Sequence, residues 1–279
     1  MKLVFIGSVE IGYTVLEAVY DAGFAVDTIF TLDFDKKEQT SGFIDFEPLA
    51  NAHESALVRV KNLNEPEYIE KIKSIGPDLI IVCGWQRLVC KEILDIPRLG
   101  TIGFHSSLLP KYRGRAPVNW AIMAGEKETG ITMFYLTEDA DAGDIIAQKA
   151  FPIMLNDDCN TVYKKSAKAG ADLIVEFLPK IANGTALTLH NPSRNYPAYP
   201  KRTPADGEID FKRSALDVYN FIRAITKPYP GAFAYLPDGS KIVIWKAEIV
   251  FDESRLKKDD IVFDAIDMKI RAVEFEVAI

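Results

Sequence analysis

The chain has 279 residues, a formal charge of −7 and a pI near 5.2, which argues against a protein built to hold a polyanion over a broad surface. Hydrophobic residues at 48% and charged residues at 26% are ordinary for a soluble globular protein of one large or two smaller domains with a real core. Cys83, Cys90 and Cys159 are too few and too scattered for a disulfide framework or a zinc site. The opening MKLVFIG lacks the parts of a signal peptide, and no stretch approaches the roughly 18–20 uncharged apolar residues of a membrane span. The expectation is a reduced, cytoplasmic protein with no membrane partner.

In chain order, residues 2–7 form an apolar run of strand length that ends in a Gly-Ser turn. Ile11, Leu16 and Val19 then recur at helical spacing up to a stop at Gly23. Residues 26–32 read as a second strand. The polar, irregular stretch 33–52 reads as a surface loop leading into a helix. A helix over 65–75, an apolar strand over 79–83, a short helix over 91–94 and a strand over 100–104 follow. Strands alternating with helices indicate βαβ units and a mainly parallel sheet, in which ligands bind beyond the carboxyl ends of the strands. The last of these strands delivers His105 to such a place. A helix over 118–124, a strand over 131–136, the segment 145–152 and a long amphipathic helix over 161–181 complete this part.

Pro192, Pro197 and Pro200 lie close together with Tyr196 and Tyr199, and proline-dense chain cannot build helices or central strands. Residues 191–203 are therefore read as a connector between a domain over 1–190 and a small, mostly β domain over 204–279. In that second part a helix over 215–226 precedes alternating strands at 232–236 and 241–250. The tail 260–279 also alternates and could mediate a homodimer. The stretch Gly-Ser-Val-Glu-Ile-Gly at 7–12 lacks the spacing of a dinucleotide fingerprint and reads as a plain strand-to-helix turn. Its helix N-terminus could still receive one phosphate, with Ser8 beside it.

Two runs carry chemistry. Residues 105–117, His-Ser-Ser-Leu-Leu-Pro-Lys-Tyr-Arg-Gly-Arg-Ala-Pro, combine a titratable ring, hydroxyls, rigid turns and two arginines around one glycine. The chain has only three histidines, and histidine is the side chain suited to moving protons near neutral pH. Residues 137–144, Thr-Glu-Asp-Ala-Asp-Ala-Gly-Asp, place four carboxylates after a strand. That run suits a solvated turn or an Asp that orients His105. It fits no calcium loop, and no His or Cys accompanies it as a further metal ligand; no metal is expected.

Gly-Phe-His-Ser-Ser-Leu-Leu-Pro-Lys-Tyr-Arg-Gly-Arg-Ala-Pro (103–117), Gly-Glu-Lys-Glu-Thr-Gly-Ile-Thr (125–132) and Asp-Ala-Gly-Asp-Ile-Ile (141–146) together resemble the 10-formyltetrahydrofolate-dependent formyltransferases. That family includes enzymes acting on methionyl-tRNA, glycinamide ribonucleotide and amino sugars. The resemblance covers residue 1 to about 184. It implies a Rossmann-like α/β catalytic domain, with His105 and Asp141 as catalytic residues and attack of a substrate amine on the folate-borne formyl carbon. It also implies that the folate lies against Trp85, Gln86, Arg87 and Leu88, and against Thr137, Glu138, Asp139 and Ala140. Arg115 resembles a family arginine near the transferred group.

The family generally has Asn-x-His, whose asparagine amide hydrogen-bonds the formyl oxygen; here Gly103 stands in its place. Loss of one such donor costs roughly 10²–10³ in rate. A neighbouring donor such as Asn119, a water, or weakened catalysis would each account for the change. Residues 200–211, 222–233 and 111–120 look most like the sugar N-formyltransferases, with the domain acting on UDP-4-amino-4-deoxy-L-arabinose nearest. That resemblance implies a nucleotide-linked amino sugar as acceptor; Ser8, Lys111, Tyr196 and Arg202 are the candidates to hold it, with Tyr196 and Arg202 reading equally well as linker residues packed between domains. Residues 204–279 carry 11 Lys and Arg against 14 Asp and Glu, a poor match to the phosphates of tRNA.

Overall fold

The computed structural model describes residues 1–278. Strands β1 (Leu3–Ile6) and β4 (Leu79–Val82) are short, continuous apolar runs, β2 (Thr28–Leu32) adds two threonines to three apolar residues, and all three are buried at every residue. Such runs suit the interior of a sheet covered on both faces. Along β1, Leu3 and Phe5 enter one core cluster while Val4 and Ile6 enter another. Along β4, Leu79 and Ile81 divide from Ile80 and Val82 in the same way. This is the period-2 geometry of a strand lying between two layers. Helices α1 (Glu10–Asp21) and α6 (Cys159–Ala182) supply the first layer through Val15, Leu16, Val19, Leu173, Ile174 and Leu178. Helices α3 (Pro66–Ile75) and α4 (Lys91–Leu94) supply the second through Ile72 and Ile93.

The seven-stranded sheet also contains β3 (Ala56–Val60), β5 (Thr101–His105), β6 (Glu128–Tyr135) and β7 (Ile145–Pro152), in the order β3-β2-β1-β4-β5-β6-β7. The pairs from β3 to β5 are parallel, and β6 runs antiparallel to β5 with His105 opposite Thr132. The expected Rossmann-like, mainly parallel sheet is therefore present. Strand β3 is not expected from the sequence, because it is an edge strand of five residues with only Val60 fully buried. The stretch 33–52 is less irregular than expected: it holds a 3₁₀ turn (Phe34–Gln39) and helix α2 (Glu47–Ala52).

The chain divides into two compact units built from interleaved stretches. Residues 1–114, 130–151 and 164–198 form the first, and residues 115–129, 152–163 and those from 199 onward form the second. In the second unit a four-stranded antiparallel sheet runs β10-β11-β9-β8. Its strands are β8 (Ala232–Tyr235), β9 (Lys241–Val250), β10 (Val262–Asp264) and β11 (Lys269–Ala278). Helix α7 (Ala215–Ala224) packs on β9, and the expected small β-rich part is thus present. Helix α5 (Pro117–Met123) is tied to α7 by Asn119, whose Nδ2 donates to the Ala224 carbonyl at 2.5 Å. Buried Arg223 donates to the carbonyls of Met154 (3.0 Å) and Asp157 (2.6 Å), anchoring the loop before α6. Among the described residues no helix is long and apolar enough to cross a membrane.

Candidate active site

His105 is the last residue of β5 and is buried. Its Nε2 lies 2.9 Å from the Tyr112 carbonyl, which can only accept, so Nε2 carries the proton of the neutral ring. Tyr112 has a left-handed backbone (φ 55°) and sends that carbonyl back over the loop. Nδ1 is left as the basic atom, and it lies 3.5 Å from Asp141 Oδ1. A proton taken up at Nδ1 therefore meets a carboxylate, the arrangement that stabilises an imidazolium during general acid–base work.

The loop beyond His105 is fixed from below. Fully buried Thr132 gives its hydroxyl to the Ser107 carbonyl (2.7 Å). Its oxygen accepts from the Leu109 N–H (3.0 Å) and Gln148 Nε2 (2.8 Å). Gln148 Nε2 also donates to the Leu109 carbonyl at 2.8 Å, and Ser107 Oγ donates to that of Lys111 at 2.6 Å. The run Leu-Leu-Pro at 108–110 is thus scaffold.

Asp141 also has a left-handed backbone (φ 57°), which a residue with a Cβ holds only where its surroundings over-determine it. Its Oδ2 accepts the Gly114 N–H at 2.8 Å. Arg113 Nη2 donates to the Ala140 carbonyl at 3.0 Å, and Thr137 Oγ1 donates to that of Asp139 at 3.1 Å. Asn191 Nδ2 reaches the carbonyls of Asp141 (3.0 Å) and Gly143 (2.9 Å). Gly143 is obligatory, since a Cβ there would lie 1.7 Å from the Tyr135 carbonyl oxygen.

The structure thus brings His105 and Asp141 together across two loops. Sequence reasoning missed their supports. The Tyr112 carbonyl and the Gly114 N–H are backbone groups with no side-chain signature. Arg113 looks like a solvated charge, and Asn191 looks like the first residue of a connector. The one available signal was Gly114 between two arginines.

A cavity of about 250 Å³ lies between α4 and the segment leaving β6, lined by Lys91, Leu94, Asp95, Leu136, Thr137, Glu138 and Asp139. Three expected residues, Thr137, Glu138 and Asp139, form one wall; Ala140 is exposed on the same loop. The β4–α4 loop carries the other expected group. Leu88 is 66% exposed, and Asn64 fixes the loop through the Leu88 carbonyl and the Cys90 N–H, both at 3.0 Å. Gln86 Nε2 reaches the Ser41 carbonyl at 3.5 Å, and Arg87 donates to that of Lys61. Trp85 Nε1 is buried without a hydrogen-bond partner among the described residues, a donor left over for a polar acceptor.

Gly103, two residues before His105, faces Leu136. A Cβ built on Gly103 would lie 2.4 Å from Leu136 Cδ2 and 2.9 Å from its Cγ, so an apolar side chain fills the place where a side chain at 103 would start. In the second unit Asn119 Nδ2 donates to the Ala224 carbonyl, and its Oδ1 accepts from the Tyr163 hydroxyl at 3.5 Å.

Ser8 is fully buried and its hydroxyl donates to the Gly84 carbonyl at 3.2 Å. The glycines around it are needed for packing: a Cβ at Gly7 or Gly12 would come within 2.5 or 2.3 Å of the Cys83 carbonyl oxygen. Lys111 and Tyr196 are exposed. In the second unit Arg115 is exposed, with its N–H on the Tyr199 carbonyl at 2.9 Å. Arg202 lies over the rings of Trp120 (5.1 Å) and Phe221 (5.4 Å) and donates to the Asp206 carbonyl. Burial lowers the proton affinity of its guanidinium, although arginine stays charged. No group of three or more His, Cys, Asp or Glu among the described residues could hold a metal ion.

A histidine at the end of a strand of the mainly parallel sheet faces a carboxylate, and the chain belongs to the formyl transferase family. The family model for formyl transferase matches residues 1–178, and that for the formyl transferase C-terminal domain matches residues 201–273. The chain is 33% identical over 277 residues to the bifunctional polymyxin resistance protein ArnA of Wigglesworthia glossinidia brevipalpis. That match covers 99% of this chain and 42% of ArnA, so the chain spans less than half the length of this relative. Two solved structures share the fold. WlaRD, a sugar 3N-formyl transferase crystallised with dTDP and 5-N-formyl-THF, has a TM-score of 0.74 at 20% identity, covering 98% of this chain and 97% of its own. An N-formyltransferase from Helicobacter canadensis, in complex with folinic acid and dTDP-3-aminofucose, has a TM-score of 0.73 at 21% identity, covering 98% of each chain.

Proposed function

We propose that this chain transfers the formyl group of 10-formyltetrahydrofolate to the amine of a nucleotide-linked amino sugar. The observation that carries the reading is the His105–Asp141 pair, with Nε2–H anchored on Tyr112 and Nδ1 beside the carboxylate, within a formyl transferase family chain. The amine nitrogen bonds to the formyl carbon and the bond from that carbon to folate N10 breaks. The proton lost by the amine passes to His105 Nδ1, is held there against Asp141, and leaves on N10.

The cavity between α4 and the 136–139 segment supports a folate site. Its volume of about 250 Å³ lies just below the roughly 300–1,000 Å³ of pockets that enclose a whole drug-sized ligand, which suits one fused ring system with the rest of the molecule outside. Trp85, Gln86, Arg87 and Leu88 of the β4–α4 loop are assigned to the folate as well in this reading, although they do not line this cavity. Leu136 occupies the place where a side chain at 103 would start, so in this reading the developing charge on the formyl oxygen is left to donors other than residue 103.

A nucleotide-linked amino sugar is favoured as acceptor by the likeness to ArnA and by the dTDP and dTDP-aminofucose held by the two structural relatives. In the first unit Lys111 and Tyr196 are exposed candidates to hold it, and buried Ser8 would act by shaping its loop; ring-covered Arg202 in the second unit would act by shaping its own. The excess of acidic residues beyond 204 disfavours tRNA. The test is a panel of UDP- and dTDP-linked amino sugars assayed with 10-formyltetrahydrofolate, with calorimetric binding of each partner measured in parallel. Formylation of at least one member is expected; binding of both partners with no formylated product would overturn the reading.

A further inference from the structure

Asn191 begins the proline-dense stretch but is 2% exposed. It arrives beside the catalytic loop because Ile145 and Leu189 exchange two backbone hydrogen bonds of 2.8 Å, laying 189–191 antiparallel to 143–145. Its Nδ2 then donates to the carbonyls of Asp141 and Gly143, at 3.0 and 2.9 Å. The carbonyls of Asp139 and Ala140 are already held by Thr137 and Arg113. Asn191 therefore completes a ring of donors around a loop whose central residue, Asp141, sits in a left-handed backbone.

Rotation of φ at Asp141 toward ordinary values would swing its Cβ, and with it the carboxylate, away from Nδ1. Nothing in a turn of this kind holds a non-glycine residue there unaided. Both protons of one buried amide are committed to preventing that rotation.

We propose that Asn191 is a positioning residue for formyl transfer, which fixes the backbone of Asp141 so that its carboxylate faces His105 Nδ1. The proposal rests on the reading of His105 and Asp141 as the reacting pair. It makes the start of the connector part of the catalytic machinery without touching either substrate.

Asn191→Ala is expected to lower kcat by about 10–100-fold, the usual cost of losing an outer support of a site, with the KM for folate little changed. In an Asp141→Asn background the same substitution should cost nothing more, because Asn191 acts through that carboxylate. A second readout is the imidazole resonances: those of His105 should move in Asn191→Ala while those of His53 stay. If Asn191→Ala does not fold, Asn191→Ser, which keeps one donor, takes its place in every comparison. A wild-type rate, an equal loss in the Asp141→Asn background, or an unmoved His105 resonance would each overturn the proposal. If Asp141→Asn and His105→Ala themselves turned over normally, the underlying reading would fall; if they are slow and Asn191→Ala is not, only the proposal falls.

Discussion

Gly103 and Leu136 form a coupled pair, and the coupling is measurable. A Cβ at 103 would meet Leu136 Cδ2 at 2.4 Å and Cγ at 2.9 Å, both far inside ordinary contact, and Cδ1 at 3.3 Å, a tight approach. Overpacking of this kind costs about 1–3 kcal/mol. Leu136 is half-buried and lines the cavity, so it can rotate into open space, and Gly103→Ala should fall at the lower end, about 1 kcal/mol. Leu136→Ala removes the obstruction and loses some apolar burial of its own. The double variant should then be more stable than the sum of the two single effects predicts, by about 1 kcal/mol. Urea denaturation of the four proteins gives the cycle directly. A second arm reads chemistry: Gly103→Asn with Leu136→Ala places an amide two residues before His105 and should turn over faster than Leu136→Ala alone. Strictly additive stabilities would refute the steric coupling, and an unimproved rate would refute the idea that a missing donor limits turnover.

His105→Ala should lower kcat by about 10²–10⁴, the span of general acid–base contributions, in a stopped assay of formylated product; a rate near wild type would remove its assigned role. Stability should fall under alkaline conditions. Burial pushes the Cys159 thiol from 9.0 to about 12 and the Tyr163 hydroxyl from 10.0 to about 12, and raises Cys83 and Tyr229 as well. The unfolded chain releases these protons first, so the stabilisation is present below pH 9 to 10 and is lost as pH rises toward 12. Urea midpoints compared at about pH 8 and pH 10.5 should show the loss; equal midpoints would contradict it. In the native protein only half-buried Cys90 should react with a thiol reagent, and all three cysteines after unfolding, because Cys83 and Cys159 are buried. Labelling of Cys159 without unfolding would show that the packing of α6 opens readily.

The legible part of the fold was the part whose residues are buried on both faces. β1 and β4 are unbroken apolar runs and β2 is β-branched or aromatic at all but its last residue, and α1 and α3 carry clear stripes with glycine stops near their ends. β3 escaped because an exposed edge strand has no core pattern to show. The reversal at β6 escaped because an apolar run looks alike in either direction. In the site, His105 and Asp141 were legible from residue type, position and motif. What orients them was not: the Tyr112 carbonyl, the Gly114 N–H and the left-handed turns at Tyr112 and Asp141 are properties of the backbone path. Asn191 was hidden for another reason, since its partner loop lies 48 to 50 residues away in sequence. Asn119 looked like a free amide near the motif, and only the packed structure shows it bonded to Ala224 and Tyr163.

The most direct test of formyl transfer by the His105–Asp141 pair is a single-turnover experiment with label in the formyl group of 10-formyltetrahydrofolate and a nucleotide-linked amino sugar in excess. The label should appear on the sugar amine with the wild-type protein, and appear far more slowly with His105→Ala and with Asp141→Asn while both variants still bind folate. Label that stays on folate, or moves equally fast in all three proteins, would contradict the account.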